Sequence, residues 1–405
     1  MEVKYRGEPA ATVESIEVLL LDAPVPPPGF RPSWFPGKTQ HSFFSTLVHV
    51  RSGDLTGSSS IICRGHEVKK FIERQLFGLV RETKSIDLES FTQEMRTKLI
   101  PRRTWEQGES PGKLLHLLRW LEYRPWVMEI ALWDLVAKTK RKPIYELLGK
   151  KQTKIRAYAS TGEIRSPQQR VGDVGSIIEL GFGAIKIRAH HRNPDKDVEV
   201  VKAVRDAVGS NVALMVDANQ AWTPTPPYWS YKKALRFAKQ LEKYGVLWLE
   251  EPLGANNVSG IAKLADEVEI PIAGGELEQG IGRFSRLLDA YDIVQPDTHF
   301  SGGIEEITQI AKMAEARGKL LIPHNWGTGL SLAANLQVIA SLPNCPWVEY
   351  PYDPPWSPEV RDFILKKPIE VKGGYVEVSS APGVGVELNE ENIEMCTVAR
   401  SELVL

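Results

Sequence analysis

The chain has 405 residues, 42% hydrophobic and 25% charged, with 50 basic against 51 acidic side chains. That length exceeds one ordinary small domain and suits a barrel of about 250 residues with a second module. The near-neutral balance offers no broad field for nucleic acid or an anionic membrane; the charged start Met1–Ala10 lacks the apolar core of a signal peptide, and no apolar run reaches the ~18 residues of a membrane span.

In chain order, Ile16–Leu21 and Ser42–Val50 are expected to be strands. Between them Pro24–Lys38 is rich in proline and glycine and carries Trp34 and Phe35 near its tip. A connection of that length between strands is a surface loop of the kind that serves as a lid, so Trp34 is a candidate substrate contact. Helical spacing of apolar residues follows in Glu67–Leu79 and Trp126–Thr139, which makes this part α+β.

From Ile155 the pattern changes to short β-rich runs alternating with helices. The runs are Ile155–Ser160, Ala184–Ile187, Val212–Val216, Leu247–Leu249, Pro271–Ala273, Ile293–Gln295, Leu320–Pro323 and Trp347–Tyr350. Helices are expected at Val198–Val208, Tyr231–Tyr244, Ile304–Ala316 and Leu330–Ser341. Eight strands so spaced predict an α/β fold with a parallel sheet closed as a TIM-like barrel. A doubly wound open sheet is the alternative, but no glycine-rich dinucleotide fingerprint follows any strand.

The strand ends carry the chemistry: Lys186 and Arg188, Asp217 and Asn219, then Glu250, Glu276, Asp297, His324 and Glu349. From Asp217 onward the steps are 33, 26, 21, 27 and 25 residues, one strand-plus-helix unit each. In a barrel such ends converge on the catalytic mouth. Asp217, Glu250 and Glu276 lie on three consecutive ends and form an all-oxygen set of the type a hard divalent ion such as Mg2+ prefers; without a cation they would repel one another. Asp297 and His324 end neighbouring strands, and a carboxylate on one ring nitrogen would make the other a better base. Glu349 continues the series on the last strand. His190 and His191 follow the second strand and could reach the substrate, although two adjacent histidines in a loop are more often solvated; Trp34, Phe35 and Trp222 either cap the site or pack against the cap. The cysteines, Cys63, Cys345 and Cys396, are odd in number and lack zinc or disulfide spacing, so a reducing cytoplasm is the expected compartment.

Together these motifs are recognisable. Glu129-Ile-Ala-Leu-Trp-Asp-Leu135, Pro143-Ile-Tyr-Glu-Leu-Leu-Gly149, Val216-Asp-Ala-Asn-Gln220, Leu249-Glu-Glu-Pro252, Gly274-Gly-Glu276, Gln295-Pro-Asp297 and Pro323-His-Asn325, in that order, resemble the mandelate racemase subgroup of the enolase superfamily. The resemblance runs from the first strands to Pro382-Gly-Val-Gly385. It implies a (β/α)7β barrel over residues 141–374 and an α+β cap over 1–140, to which 375–405 return. The prolines at 351, 354, 355 and 358 agree with a missing eighth helix. By position it makes Asp217, Glu250 and Glu276 the Mg2+ ligands, His324 and Asp297 the acid/base dyad, Asn219 a substrate contact, and Glu349 the acidic group that hydrogen-bonds the substrate carboxylate. It further implies a homo-oligomer, from dimer to octamer.

The sequence departs from the subgroup on the second strand, where the usual lysine-x-lysine is Lys186-Ile-Arg188. Arginine holds its proton too firmly to serve readily as a base, which disfavours a two-base racemase. Lys186 and Arg188 are instead expected to bind oxygens and stabilise developing charge, with Lys186 as a second acid/base group left open. The leading expectation is dehydration of an aldonate or aldarate through an enediolate to a 2-keto-3-deoxy acid. Racemisation or epimerisation, or lactone cycloisomerisation, through the same enediolate is the alternative. A metal-binding scaffold without catalysis would have no use for His324-Asp297.

Overall fold

The computed structural model describes residues 1–62, 65–91, 94, 126–222 and 228–405; Cys63 lies outside them. The N-terminal part begins with β1 (Glu2–Tyr5) and β2 (Glu8–Thr12), followed by β3 (Ser15–Pro24), β4 (Ser42–Ser52) and β5 (Leu55–Ile62). Helical segments Gly65–Phe71, Ile72–Leu76 and Phe77–Glu82 lead to β6 (Ser85–Asp87). The long antiparallel ladder β3–β4–β5 is the platform of this part.

The helix Trp126–Thr139 is buried along almost its whole length, and that explains its sequence. Gly57 of β5 lies where any Cβ would strike the Ala131 carbonyl, so helix and strand approach backbone to backbone. Glu129 accepts from the Ile304 and Glu305 amides (2.9 and 3.1 Å) at the start of helix Gly303–Glu315, and from Trp133 Nε1 (3.1 Å). A carboxylate there satisfies orphan helix donors. Asp134 accepts from the Ser58 and Val384 amides, both at 2.8 Å. The first acidic group therefore ties the helix to the second half of the chain, and the second ties it to β5 and the C-terminal tail.

The second half contains β7 (Lys154–Ser160), β8 (Ala184–Arg188), β9 (Ala213–Asp217), β10 (Val246–Glu250), β11 (Ile272–Gly274), β12 (Ile293–Val294), β13 (Leu320–Leu321) and β14 (Trp347–Pro351). They form one curled sheet, all eight parallel, in the order β13-β12-β11-β10-β9-β8-β7-β14. Among the described residues no strand pairing joins β13 to β14; the Asn325 amide, just after β13, instead donates to Glu349 Oε2 on β14 (2.7 Å). β15 (Tyr375–Glu377) runs antiparallel beside the start of β7, and β16 (Thr397–Val404) crosses back to pair with β3. The tail thus touches the second sheet before it rejoins the first. After β14 a single helical turn, Pro358–Arg361, stands where the prolines predicted none, since proline is compatible with a first helical turn.

Period-two alternation sorts the strands. Ile185, Ile187, Leu214, Val216, Leu249, Ile272, Val294, Leu321 and Val348 belong to the main core. The opposite set, Tyr158, Ala184, Met215, Trp248, Ala273, Ile293 and Ile322, forms a separate apolar plug on the concave face. Two residues further along the same strands the concave face turns polar, and there the site is built.

Candidate active site

Continuing that alternation, Tyr158 gives way to Ser160, Ala184 to Lys186 and Arg188, Met215 to Asp217, Trp248 to Glu250, Ile293 to Gln295 and Asp297, Ile322 to His324, and Trp347 to Glu349. Glu276 joins them from beyond β11, after Gly275 at φ +106° turns the chain. Every predicted site residue among Lys186, Arg188, His190, Asp217, Asn219, Glu250, Glu276, Asp297, His324 and Glu349 is at most 5% exposed, so the cluster is sealed from solvent.

Oxygens of Asp217, Glu250 and Glu276 lie within 4.8 Å of one another. Two cations compensate them. Lys186 Nζ donates to Glu250 Oε1 at 2.7 Å, pairs with Glu349 Oε1 at 2.7 Å and stands 3.8 Å from Asp217. Arg188 pairs closely with Asp217, reaches Asn219 Oδ1 at 3.2 Å and donates from Nε to the Thr161 carbonyl at 2.7 Å. Gln295 Nε2 and Trp248 Nε1 supply Glu250 Oε2 at 2.9 and 3.3 Å. Trp222 Nε1 donates to Glu276 Oε1 at 2.5 Å, whereas Glu276 Oε2 is buried with no hydrogen-bond donor among the described residues. An acidic trio with one orphaned buried oxygen fits a divalent cation. Asn219 follows Asp217 at φ +46°, which brings its own amide onto Asp217 Oδ1 at 2.8 Å.

Burial and the neighbouring Glu250 push Asp217 up to about 8, against the pull of Arg188 and Lys186. Glu250 goes the other way, to about 2, because Lys186 and Arg188 outweigh its burial. In Lys186 the order is similar: burial disfavours the ammonium, but Glu250 and Glu349 hold its pKa above the ordinary lysine value. Glu349 accepts from Ser160 Oγ at 2.6 Å and from the Asn325 amide in addition to its pairing with Lys186.

His324 Nδ1 bonds Asp297 Oδ2 at 2.9 Å, and its Nε2 faces Glu276 Oε2 at 3.4 Å. The dyad is therefore formed, with its free ring nitrogen turned toward the carboxylate trio. The lid also reaches the site. Trp34 packs edge-on against Trp326 (4.9 Å between ring centroids), and the Arg188 guanidinium lies 5.2 Å from the Trp34 ring and 5.5 Å from the Trp326 ring. Phe35 stays exposed at the tip. His190, expected in a loop, is buried with Nδ1 at 3.3 Å from the Ala218 carbonyl; His191 pairs with Asp197 at 2.6 Å, away from the trio.

Sequence reading missed Ser160, Gln295, Trp326 and His299. Ser160 and Gln295 had a signal, because they occupy concave-face positions of β7 and the segment after β12. Trp326 and His299 keep the two-residue step from His324 and Asp297, but lie well beyond the strands, where alternation no longer assigns a face.

A curled parallel sheet whose C-terminal ends gather a carboxylate trio, two buried cations and a histidine–aspartate pair defines an enzyme. Residues 172–392 match the family described as enolase C-terminal domain-like, and the chain belongs to the enolase superfamily, in its mandelate racemase/muconate-lactonizing subgroup. The arabinonate dehydratase of Saccharolobus solfataricus is 36% identical over 268 residues, which cover 65% of this chain and 69% of that one. The D-galactarolactone cycloisomerase of Agrobacterium fabrum is 34% identical over 276 residues, covering 65% and 71%. The solved structure of the 3,6-anhydro-D-galactonate cycloisomerase from Zobellia galactanivorans superposes with a TM-score of 0.78 at 25% identity, covering 96% of this chain and 100% of that one. Among the described residues no helix is long and apolar enough to cross a membrane.

Proposed function

We propose that this enzyme is a Mg2+-dependent sugar-acid dehydratase, built as a closed (β/α)7β barrel under a cap drawn from residues 1–140 and the C-terminal tail. The observation that carries the reading is the asymmetry of the two faces. On one, His324 Nδ1 is backed by Asp297, and its Nε2 faces Glu276 Oε2 at 3.4 Å with no shorter polar contact to protein among the described residues. On the other, the second-strand groups are Arg188, locked to Asp217, Asn219 and Thr161, and Lys186, despite its burial kept an ammonium by Glu250 and Glu349; this favours His324 as the base.

Asp217, Glu250 and Glu276 would hold the magnesium, which when bound supplies positive charge against the oxygens of an enediolate. His324 takes the proton next to the substrate carboxylate at Nε2, while Asp297 keeps Nδ1 protonated. The imidazolium then returns that proton to the β-hydroxyl as its C–O bond breaks, water departs, and the enol product tautomerises to a 2-keto-3-deoxy acid. Arg188 and Lys186, which neutralise Asp217 and Glu250 here, would be available to substrate oxygens if those carboxylates held the ion. Asn219, Glu349, His190 and Trp34 complete the substrate contacts.

Incubation of the magnesium-loaded protein with arabinonate, galactonate, galactarate and talarate in deuterium oxide, followed by proton NMR, tests the reaction class. Loss of water with a new 2-keto acid is the expected result. Exchange next to the carboxylate without elimination, or lactone isomerisation, would replace the reading by the epimerase or the cycloisomerase one, and the cycloisomerase is favoured second because relatives of both kinds match.

Metal affinity should depend on pH. Asp217 binds the ion only when ionised, and it is held up to about 8. Below that value a proton competes, so affinity should weaken by up to about tenfold per pH unit, and binding should release protons. Calorimetric titration with Mg2+ at pH 6.5 and 8.5, in buffers of different ionisation heat, checks both effects; a pH-independent affinity would mean that Asp217 is already ionised before the ion binds.

A further inference from the structure

Ser58, Ser59 and Ser60 of β5 are consecutive and buried, an arrangement a hydrophobic cap has no packing reason to choose. Ser60 Oγ meets Thr328 Oγ1, and its carbonyl accepts from Ser331 Oγ at 2.8 Å. Ser59 reaches deeper. Its Oγ lies 3.2 Å from His299 Nε2, and His299 Nδ1 lies 3.0 Å from Thr298 Oγ1. The Thr298 hydroxyl spends its proton on Asn335 Oδ1 at 2.8 Å. It can only accept from His299, so in the neutral ring Nδ1 carries the hydrogen and Nε2 accepts from Ser59.

With His299 neutral, its Nδ1 also standing 3.7 Å from Asp297 Oδ1, the direction follows along the whole chain. Ser59 donates to His299, His299 to Thr298, and Thr298 to Asn335; Asn335 Nδ2 donates to the His324 carbonyl at 3.3 Å and to Asn325 Oδ1 at 3.1 Å. A second branch leaves from the same histidine: the His299 amide donates to Asp297 Oδ1 at 2.7 Å, and the other carboxylate oxygen holds His324 Nδ1. Both branches end on His324, one at its backbone and one at its ring.

Resting on the acid/base role proposed for His324, we propose that Ser59 of the cap is a positioning residue for that base, acting through His299 to Asp297 and through Thr298 and Asn335 to the His324 backbone. The cap then does more than cover the mouth: its docking sets the orientation of the base. Groups that bond a metal's ligands cost about 10- to 100-fold in activity when removed, and Ser59, which acts on the base at a further remove, should fall at the low end of that range.

The test uses full-length protein labelled with 15N-histidine. The hydrogen-bonded Nδ1–H signal of His324, identified by its loss in His324→Asn, should move in Ser59→Ala and in Thr298→Val and return toward its original position in Ser59→Thr. With the sugar acid turned over in the screen, Ser59→Ala should lower kcat about tenfold at unchanged KM and raise the isotope effect of substrate deuterated next to the carboxylate. A loss of folded protein alone would lower apparent kcat and leave that isotope effect as it was. An unmoved His324 signal in Ser59→Ala and Thr298→Val, or an unchanged kcat, overturns the proposal. Turnover retained by His324→Asn would instead overturn the acid/base reading, with the NMR signal still reporting whether cap and base are coupled.

Discussion

Replacing His324 by asparagine is expected to lower turnover by about 10^3-fold or more while Mg2+ still binds. Asparagine can keep a donor on Asp297 Oδ2, now 2.9 Å from His324 Nδ1, so the pocket keeps its shape and loses only its proton acceptor. Asp297 cannot substitute, because His299 and His324 outweigh its burial and hold it down at about 2. His324 itself is pushed up to about 9: burial works against the charged ring, but Glu276, Glu349 and Asp297 outweigh it. A base must be neutral, so kcat/KM should rise with pH until the ring has lost its proton. The same upward shift stabilises the fold below the ordinary histidine value of about 6.5, and that contribution fades as pH rises through about 9. Single-turnover assays of wild type and variant, with metal binding measured in parallel, check the claim; residual dehydration within about tenfold of wild type would remove His324 from the chemistry.

Much of this site was legible in the sequence because period-two alternation and unit spacing are local properties. Asp217, Glu250, His324 and Glu349 each end a short apolar run, and the folded strands differ from the expected ones by a residue or two at their ends. The helix Trp126–Thr139 was expected where the described residues show it, and its C-terminal end falls at Thr139 as read. Short strands of the N-terminal part, β1, β2 and β6, were not, because their few residues carry no readable alternation. β5 escaped for another reason: Gly57-Ser58-Ser59-Ser60 looks like a loop, and while Ser58 is met by His49 of the neighbouring strand, the side-chain partners of Ser59 and Ser60, His299 and Thr328, come from more than 200 positions away. His190 shows the same limit. As one of two adjacent histidines it read as solvated, yet it follows Lys186 and Arg188 in the alternation of β8 and is buried at the rim. Long-range partnership, which sequence spacing does not encode, separates the residues found from those missed.

Glu276→Gln should remove metal binding and turnover together, and for a reason beyond the lost ligand. Outer-shell partners of a metal cost about 10- to 100-fold in affinity, so a direct charged ligand should cost more than about 100-fold. Trp222 Nε1 can still donate to a glutamine carbonyl at the Oε1 position, which preserves the fold around it. What changes is Oε2, the buried oxygen without a donor among the described residues, facing His324 Nε2 at 3.4 Å. Glu276 is the foremost group that raises His324 against its burial, so neutralising it should let the imidazole titrate well below about 9. A cation shared by the trio would act on the ring in the same direction, since it cancels the same negative charge. One residue therefore links the ion to the base: binding the ion brings His324 toward the neutral form that abstraction requires. Histidine NMR and Mg2+ titration of Glu276→Gln separate the two effects. The expected outcome is a base that titrates lower than in the wild type, in a protein that no longer turns over, which assigns the loss to the missing ion. A variant that still binds Mg2+ like the wild type, or whose His324 titrates unchanged, would break the link and leave Glu276 as a structural partner of Trp222.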